Sequence, residues 1–304
     1  MRKNAIKRQR MDKGAIIMLC SFFIPLGITG FIWFNGATLG TFIQMFQKEI
    51  PGQEAIWSLD NFTRIFREGF SGPNAVFRES LVNSLLFFIL AAFIMLPINV
   101  IVAYFIYKKI FAYKAFRILF YLPNVMPSVI LAMLFKYITA PDGAGVLASL
   151  FYKMGMEFPN IFGDSRYAIW GLLFFSFWSG FGAGFLIYGA GMKRIPPEII
   201  EAAALDGITW FKEIIYIIVP LIFPTLAMAF ISLVPTIFTS SGAVLFFTQG
   251  DYGTYTISYW LFEQVYGRSN LNYSSAVSLF FQLLTLPLAL GTYWLLQRVP
   301  DVEY

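Results

Sequence analysis

Apolar residues in this chain gather into long runs separated by shorter polar stretches. The runs cover about Ala15–Phe34, Leu81–Tyr107, Ile118–Ile138, Tyr167–Met192, Tyr216–Phe246 and Tyr273–Leu296. Each is about 20 residues or longer, the length a helix rising ~1.5 Å per residue needs to cross a hydrocarbon layer. The pattern therefore predicts six transmembrane helices: an all-α, polytopic membrane protein. Prolines mark where those helices depart from straightness. Pro25 lies in the first run, Pro123 and Pro127 in the third, and Pro220, Pro224 and Pro235 in the fifth, which is read as a kinked helix. The fourth run carries Gly180, Gly182, Gly184, Gly189 and Gly191, small residues that let helices approach closely in lipid.

The polar stretches set the orientation. Residues 1–14 form a basic tail, with six of the 22 Lys and Arg falling in the first 13 positions. The run after it is too long for a cleaved leader's apolar region, which predicts a retained first helix with its tail in the cytoplasm. The loop Lys108–Arg117 is also basic and is placed inside, as is Lys193–Ile215. The longer stretches 35–78, 139–166 and 247–272 then fall outside, and both termini are cytoplasmic. Lys136, near the outer end of its run, can snorkel to the interface. Within 35–78, Leu59, Phe62 and Ile65 or Phe66 share a face after Asp60 or Asn61 as N-cap, which predicts a short helix resting on the outer surface. Asn61-Phe62-Thr63 is formally a glycosylation triplet, read as coincidence in a bacterial-type chain. Pro141-Asp142-Gly143 reads as a turn.

Composition narrows the class. Of the 304 residues 58% are hydrophobic and 13% charged, against about 25% charged in a soluble domain. So much apolar surface cannot be hidden in one aqueous core, and lipid must be the solvent. The net charge of +5 sits beside apolar runs rather than on a nucleic-acid-binding face, so no nucleic acid is expected. The single cysteine, Cys20, excludes an internal disulfide, and the lack of histidine removes the commonest proton shuttle and a preferred zinc ligand. No metal site is expected. No Asp, Glu or Arg lies in the middle of a predicted span, which argues against a proton-coupled carrier and a charge-ringed channel. No G-x-x-x-x-G-K-[ST] loop and no nucleophile–base pair is recognisable, so the chain is not expected to be an enzyme.

One stretch mixes charge with order: Lys193–Pro220, KRIPPEIIEAAALDGITWFKEIIYIIVP with its flanking apolar runs. Pro196 and Pro197 can open a helix and Glu198 suits the positive end of its dipole. Ile199, Ile200, Ala203 and Ala204 follow at helical spacing, and Gly207 can stop the helix in a left-handed cap. A second amphipathic run, Trp210–Ile215, leads into the fifth span.

Glu201-Ala202-Ala203, Asp206-Gly207, Ile217 and Pro220 resemble the EAA loop of binding-protein-dependent ABC importer permeases, with Ile195-Pro196 and Asp206-Gly207 matching their sugar-importer branch. Val219 departs from the usual Leu, an apolar-for-apolar exchange. The likeness covers nearly the whole chain after residue 15. NFTRIF, the Pro123/Pro127 pair and Trp178 with Gly180 ahead of IYGAGMKRIP look like recurring features of the family. The C-terminal part is similar to MalF/UgpA-like subunits, although Thr248-Gln249-Gly250-Asp251 stands where these usually carry Gly-Gly-Pro.

The resemblance implies a type I ABC importer permease fold, with residues 15–304 as one six-helix permease domain and 193–220 as its coupling loop. It implies an importer at a bacterial-type plasma (inner) membrane, for a carbohydrate such as an oligosaccharide. The implied partners are a second, MalG-like permease, two ATP-binding subunits carrying ATP and Mg, and an external solute-binding protein; no cofactor is implied on this chain. Glu201, Ala202, Ala203, Asp206 and Gly207 would face the ATPase. Positions matching the family's sugar contacts fall around Ser176–Gly180 and Thr236–Gly242, giving Ser176, Trp178, Gly180, Thr236, Thr239, Ser240 and Gly242 as substrate-path residues. Aromatic faces with a few hydroxyls also suit a neutral, hydroxyl-rich solute, while the same hydroxyls equally serve helix–helix bonding. Glycerol phosphate or a sugar acid, and an ATP-independent facilitator, are the alternatives.

Overall fold

A computed structural model describes residues 13–48, 55–70, 75–141, 145–267 and 270–299. The basic tail at 1–12, the Asp142-Gly143 part of the expected turn and the last five residues lie outside the described residues.

The first expected span is α1, Lys13–Trp33, which carries largely exposed apolar side chains such as Phe22, Phe23 and Trp33 on all sides. The helix runs on through a π-helical turn, Phe34–Leu39, into α2, Gly40–Gln44, and is followed by a two-residue antiparallel pair of strands, β1 Gln47–Lys48 and β2 Ile56–Trp57. The expected short helix is α3, Asp60–Arg64, which continues as a π-helical turn to Phe70. Its anchor is Asn61, which is buried and donates from Nδ2 to the carbonyls of Met45 (3.1 Å) and Gln47 (2.9 Å). Of the four apolar residues placed on one face, Ile65 is buried and Phe62 half-buried, whereas Leu59 and Phe66 face outward.

The second span, α4, is a single helix, Val76–Tyr107, that starts before its predicted limit and includes a π-helical turn at Leu90–Met95. The last, α15, is Leu271–Leu296; among the described residues these two helices alone are long and apolar enough to cross a membrane by themselves. The other three expected spans are not continuous, which corrects their reading as single helices. Each is a bent pair, so the described residues give up to five spans if each pair counts as one, with α1 a shorter apolar helix besides.

The breaks have local causes. In the third, α5 (Tyr113–Val125) and α6 (Ser128–Ile138) meet at 104°. Met126 precedes Pro127 and is forced to extended backbone, ψ 142°, because the proline ring excludes the helical conformation there. After α7, Val146–Lys153, the fourth splits into α8 (Ala168–Gly180) and α9 (Ala183–Met192) at 44°. The coupling-type loop supplies α10, Pro197–Leu205. The fifth divides into α11 (Trp210–Leu221) and α12 (Phe223–Thr239) at 79°, because Pro224 has no amide hydrogen to continue the first helix and instead sits in the first turn of the second. Ser240, extended at ψ 110°, ends α12, and α13, Gly242–Phe247, follows.

Two helices lie in stretches read from sequence as polar connections, α7 and α14, Ile257–Tyr266. The second is capped by Thr256, whose Oγ1 accepts from the Tyr259 amide, and pinned to α4 by Ser84 Oγ accepting from the Ile257 amide at 3.1 Å. Asn83 reinforces the attachment, donating to the carbonyls of Gly253 and Tyr255. Tyr255 donates to Glu263, and burial pushes its hydroxyl up to about 12.

Side chains pack into three clusters along the molecule. One joins α4 (Val100, Ala103, Tyr104), α9 (Phe185, Tyr188, Met192) and α11 (Ile214, Ile218). A second gathers Leu131, Phe135, Leu172, Phe175, Val244 and Phe247. The third ties α2 and α3 to α4, α14 and α15 through Met45, Ile65, Phe77, Trp260 and Phe281. Apolar burial against lipid yields little, so close fit has to hold these helices together.

Candidate functional site

The loop 193–220 has the predicted construction. Pro196 is extended at the N-cap and Pro197 opens α10, with Glu198 in the first turn. At the other end Gly207 takes φ +68°, its amide bonds to the Ala204 carbonyl (3.2 Å), and the Ile208 amide bonds to the Ala203 carbonyl (3.3 Å). This pair of bonds is a Schellman motif, which satisfies carbonyls the helix end would leave open. The result is a rigid helix of nine residues with a defined outer face.

That face carries Glu201, Ala202, Asp206 and Leu205, the last 89% exposed. Ala203, expected among the docking positions, is turned the other way and is only 6% exposed. Ile195 is buried, and Ile199 and Ile200 half-buried, in the cluster formed by α4, α9 and α11. The outer face is thus a surface of two carboxylates, small side chains and one leucine, backed by packed apolar residues.

Behind it lies a group that sequence reasoning did not single out. Glu213, in the first turn of α11, is 6% exposed. Its Oε2 accepts from the Tyr104 hydroxyl at 2.9 Å, and its Oε1 lies 2.6 Å from Lys108 Nζ. Desolvating a carboxylate this far costs several kcal/mol, so it is stable only with such partners. A signal was available: Glu213 shares a helical face with Ile214 and Ile218, both buried, and an acidic residue on an apolar face calls for a cation.

The two proposed substrate-path stretches both fall at helix breaks. Ser176, Trp178 and Gly180 occupy the last turns of α8, where Ser176 and Trp178 are half-buried and Gly180 is exposed. Just beyond, Gly182 has φ +119°, and a Cβ there would lie 2.2 Å from the Phe120 carbonyl oxygen. Asn124, on α5, donates to the Phe181 carbonyl at 2.7 Å, joining the break of one span to the break of the next. Thr236, Thr239, Ser240 and Gly242 line the α12–α13 break. There Thr236 bonds the Leu233 carbonyl and Thr239 the Pro235 carbonyl, while Gly242 faces open space. The first stretch reaches an aromatic cluster through Trp178, whose ring lies 5.8 Å from Phe135; Phe135 in turn meets Phe247 of α13, the helix that opens at Gly242, at 5.8 Å. Lys136 Nζ is 5.7 Å from the centre of that same Phe247 ring. Among the described residues no cluster of His, Cys, Asp and Glu could hold a metal.

Apolar helices broken in mid-span, with a capped helix exposed on a loop, are the features of a membrane permease. Over residues 95–300 the chain matches the binding-protein-dependent transport system inner membrane components, and it belongs to that family. It is 21% identical over 274 residues to the arabinooligosaccharides transport system permease protein AraP of Bacillus subtilis (strain 168), covering 88% of this chain and 85% of AraP. It is 28% identical over 289 residues to the probable ABC transporter permease protein YesP of the same organism, covering 90% and 89%. It is 24% identical over 271 residues to the sn-glycerol-3-phosphate transport system permease protein UgpA of Yersinia pseudotuberculosis serotype I (strain IP32953), covering 88% and 89%. Among solved structures, a chain of a bacterial ABC transporter involved in the import of the acidic polysaccharide alginate superposes with a TM-score of 0.77 at 21% identity, over 93% of this chain and 97% of that one. The fold is that of a type I ABC importer permease.

Proposed function

We propose that this chain is one of two permease subunits of an ATP-driven importer for a carbohydrate, an oligosaccharide in the first instance, and that it meets an ATP-binding subunit through α10. The carrying observation is α10 itself: a short helix held at both ends, backed by the protein's own core, presenting Glu201, Ala202 and Leu205 outward. A helix so fixed has no evident purpose on a stand-alone facilitator. ATP hydrolysis would fall to partner subunits, and an external binding protein would deliver solute to the opposite side. ATP binding would draw the motors together, α10 would carry the motion inward, and the path between the broken spans of the two permeases would change the side it faces. Relatives named for arabinooligosaccharide and glycerol-phosphate transport support a hydroxyl-rich solute.

A sugar acid is the second reading, favoured by Lys136 beside the aromatic cluster that holds Trp178. The ligand retained by the cognate binding protein decides between them. Docking is tested by Glu201→Lys in the complete transporter: insertion in the membrane is kept and uptake is lost. Normal uptake by that variant rules the reading out.

A further inference from the structure

We infer that Glu213, with Lys108 and Tyr104, is an ionic latch that makes the inner end of α4 move as one body with the EAA loop, so that the loop's motion is delivered to the second span as well as to the helices joined to it in sequence. The inference rests on the proposed role of α10 as the contact with an ATPase.

Three independent contacts bridge elements more than 100 residues apart in the chain. Tyr104 donates to Glu213 Oε2 at 2.9 Å across a sequence separation of 109. Lys108 Nζ sits 2.6 Å from Glu213 Oε1 and also 5.6 Å from the centre of the Tyr104 ring, so the three groups close on one another. One residue after Tyr104 and three before Glu213, the rings of Phe105 and Trp210 meet at 5.5 Å. All lie against the cluster into which α10 sets Ile199 and Ile200.

Geometry makes this a latch and not a passive contact. Glu213 is the first buried residue after the capped turn at Gly207, and α11 ends at the 79° break before α12. A push on α10 therefore meets a bend on the chain-continuous route and a charged, desolvated joint on the route to α4. Breaking that joint leaves the buried Glu213 carboxylate without its counter-charge, whereas the partly exposed Lys108 can turn to water, so the cost that keeps the two elements together falls on Glu213. Two packed elements linked this way transmit displacement because neither can shift without exposing a charge.

The test uses the whole transporter, with both permeases, ATPases and binding protein, in proteoliposomes, reading solute moved per ATP hydrolysed. Glu213→Gln and Lys108→Met are each expected to lower that ratio about tenfold, as loss of one partner of a buried pair implies. The exchange Glu213→Lys with Lys108→Glu is expected to recover most of it. Unchanged ratios in the single variants, or an exchange no better than the singles in an assembled complex, overturn the latch. Should the charge variants fail to assemble, Tyr104→Phe keeps the ring in the core and removes only the hydroxyl; a normal ratio in that variant overturns the latch as well. Glu201→Lys in the same preparation separates the two ideas. If it transports normally, the docking role of α10 falls; if it fails while the charge variants transport normally, only the latch falls.

Discussion

Gly207 holds φ +68° with open space where a side chain would sit, so the demand on that position is conformational alone. Any L-residue there takes on a left-handed backbone costing roughly 1–2 kcal/mol. Gly207→Ala is therefore expected to loosen the Schellman turn without a clash, seen as faster hydrogen exchange at the Ile208 amide, with Gly207→Asn milder. An unchanged exchange rate in the alanine variant would show that the two cap bonds do not hold the helix end. Glu201 and Gly207 were both legible from sequence, because caps and exposed charges depend on neighbours a few positions away. Ala203 was not legible in the same way. Two adjacent alanines look alike on paper, and only the seating of α10 on the cluster of α4, α9 and α11 through Ile199 and Ile200 turns one inward and leaves the other out.

At the scale of elements, the interruption of the spans is the feature the sequence left open. The prolines were visible, yet a proline in a membrane helix is compatible with a gentle kink or a full break, since neighbouring helices can satisfy the freed backbone groups. In the fourth run, which breaks without any proline, a second helix is placed to receive the freed group. Asn124 bonds the Phe181 carbonyl, and Phe120 crowds against Gly182. Gly182→Ala puts a methyl 2.2 Å from a backbone oxygen, which no rotamer change relieves. It is expected to lower the thermal stability of the detergent-solubilised protein by more than Asn124→Ala, which forfeits one hydrogen bond of about 1 kcal/mol. Equal shifts would mean that the close approach is relaxed elsewhere. The helices α7 and α14 escaped the sequence reading for a related reason. Both are short, and their apolar faces gain meaning only from the clusters and the Asn83 and Ser84 bonds that hold the segment before α14.

For the whole molecule, the order of apolar runs, the basic loops and the EAA loop together predict that residues 193–215 lie on the side where the ATPases act. Replacing Cys20, the one native cysteine, by Ser and placing a cysteine at Glu201 gives a direct check. An impermeant thiol reagent should label it in inside-out vesicles and leave it unlabelled in right-side-out ones. The reverse pattern would remove the proposed coupling. The exposure of α1 on every side fits a helix bordered by lipid or by another subunit, as expected for half of a paired permease.

The sequence by itself determined the solvent, the number of apolar runs and the local chemistry of α10, because hydropathy, charge and capping act over a few neighbouring residues. Tertiary structure alone decided how sharply three of the runs bend, that Trp178 joins Phe135 in one aromatic cluster, and that Glu213 is answered by Lys108 and Tyr104. Those outcomes depend on pairs far apart in the chain, and a buried charge or a bent helix persists only where a distant element is folded against it to satisfy it.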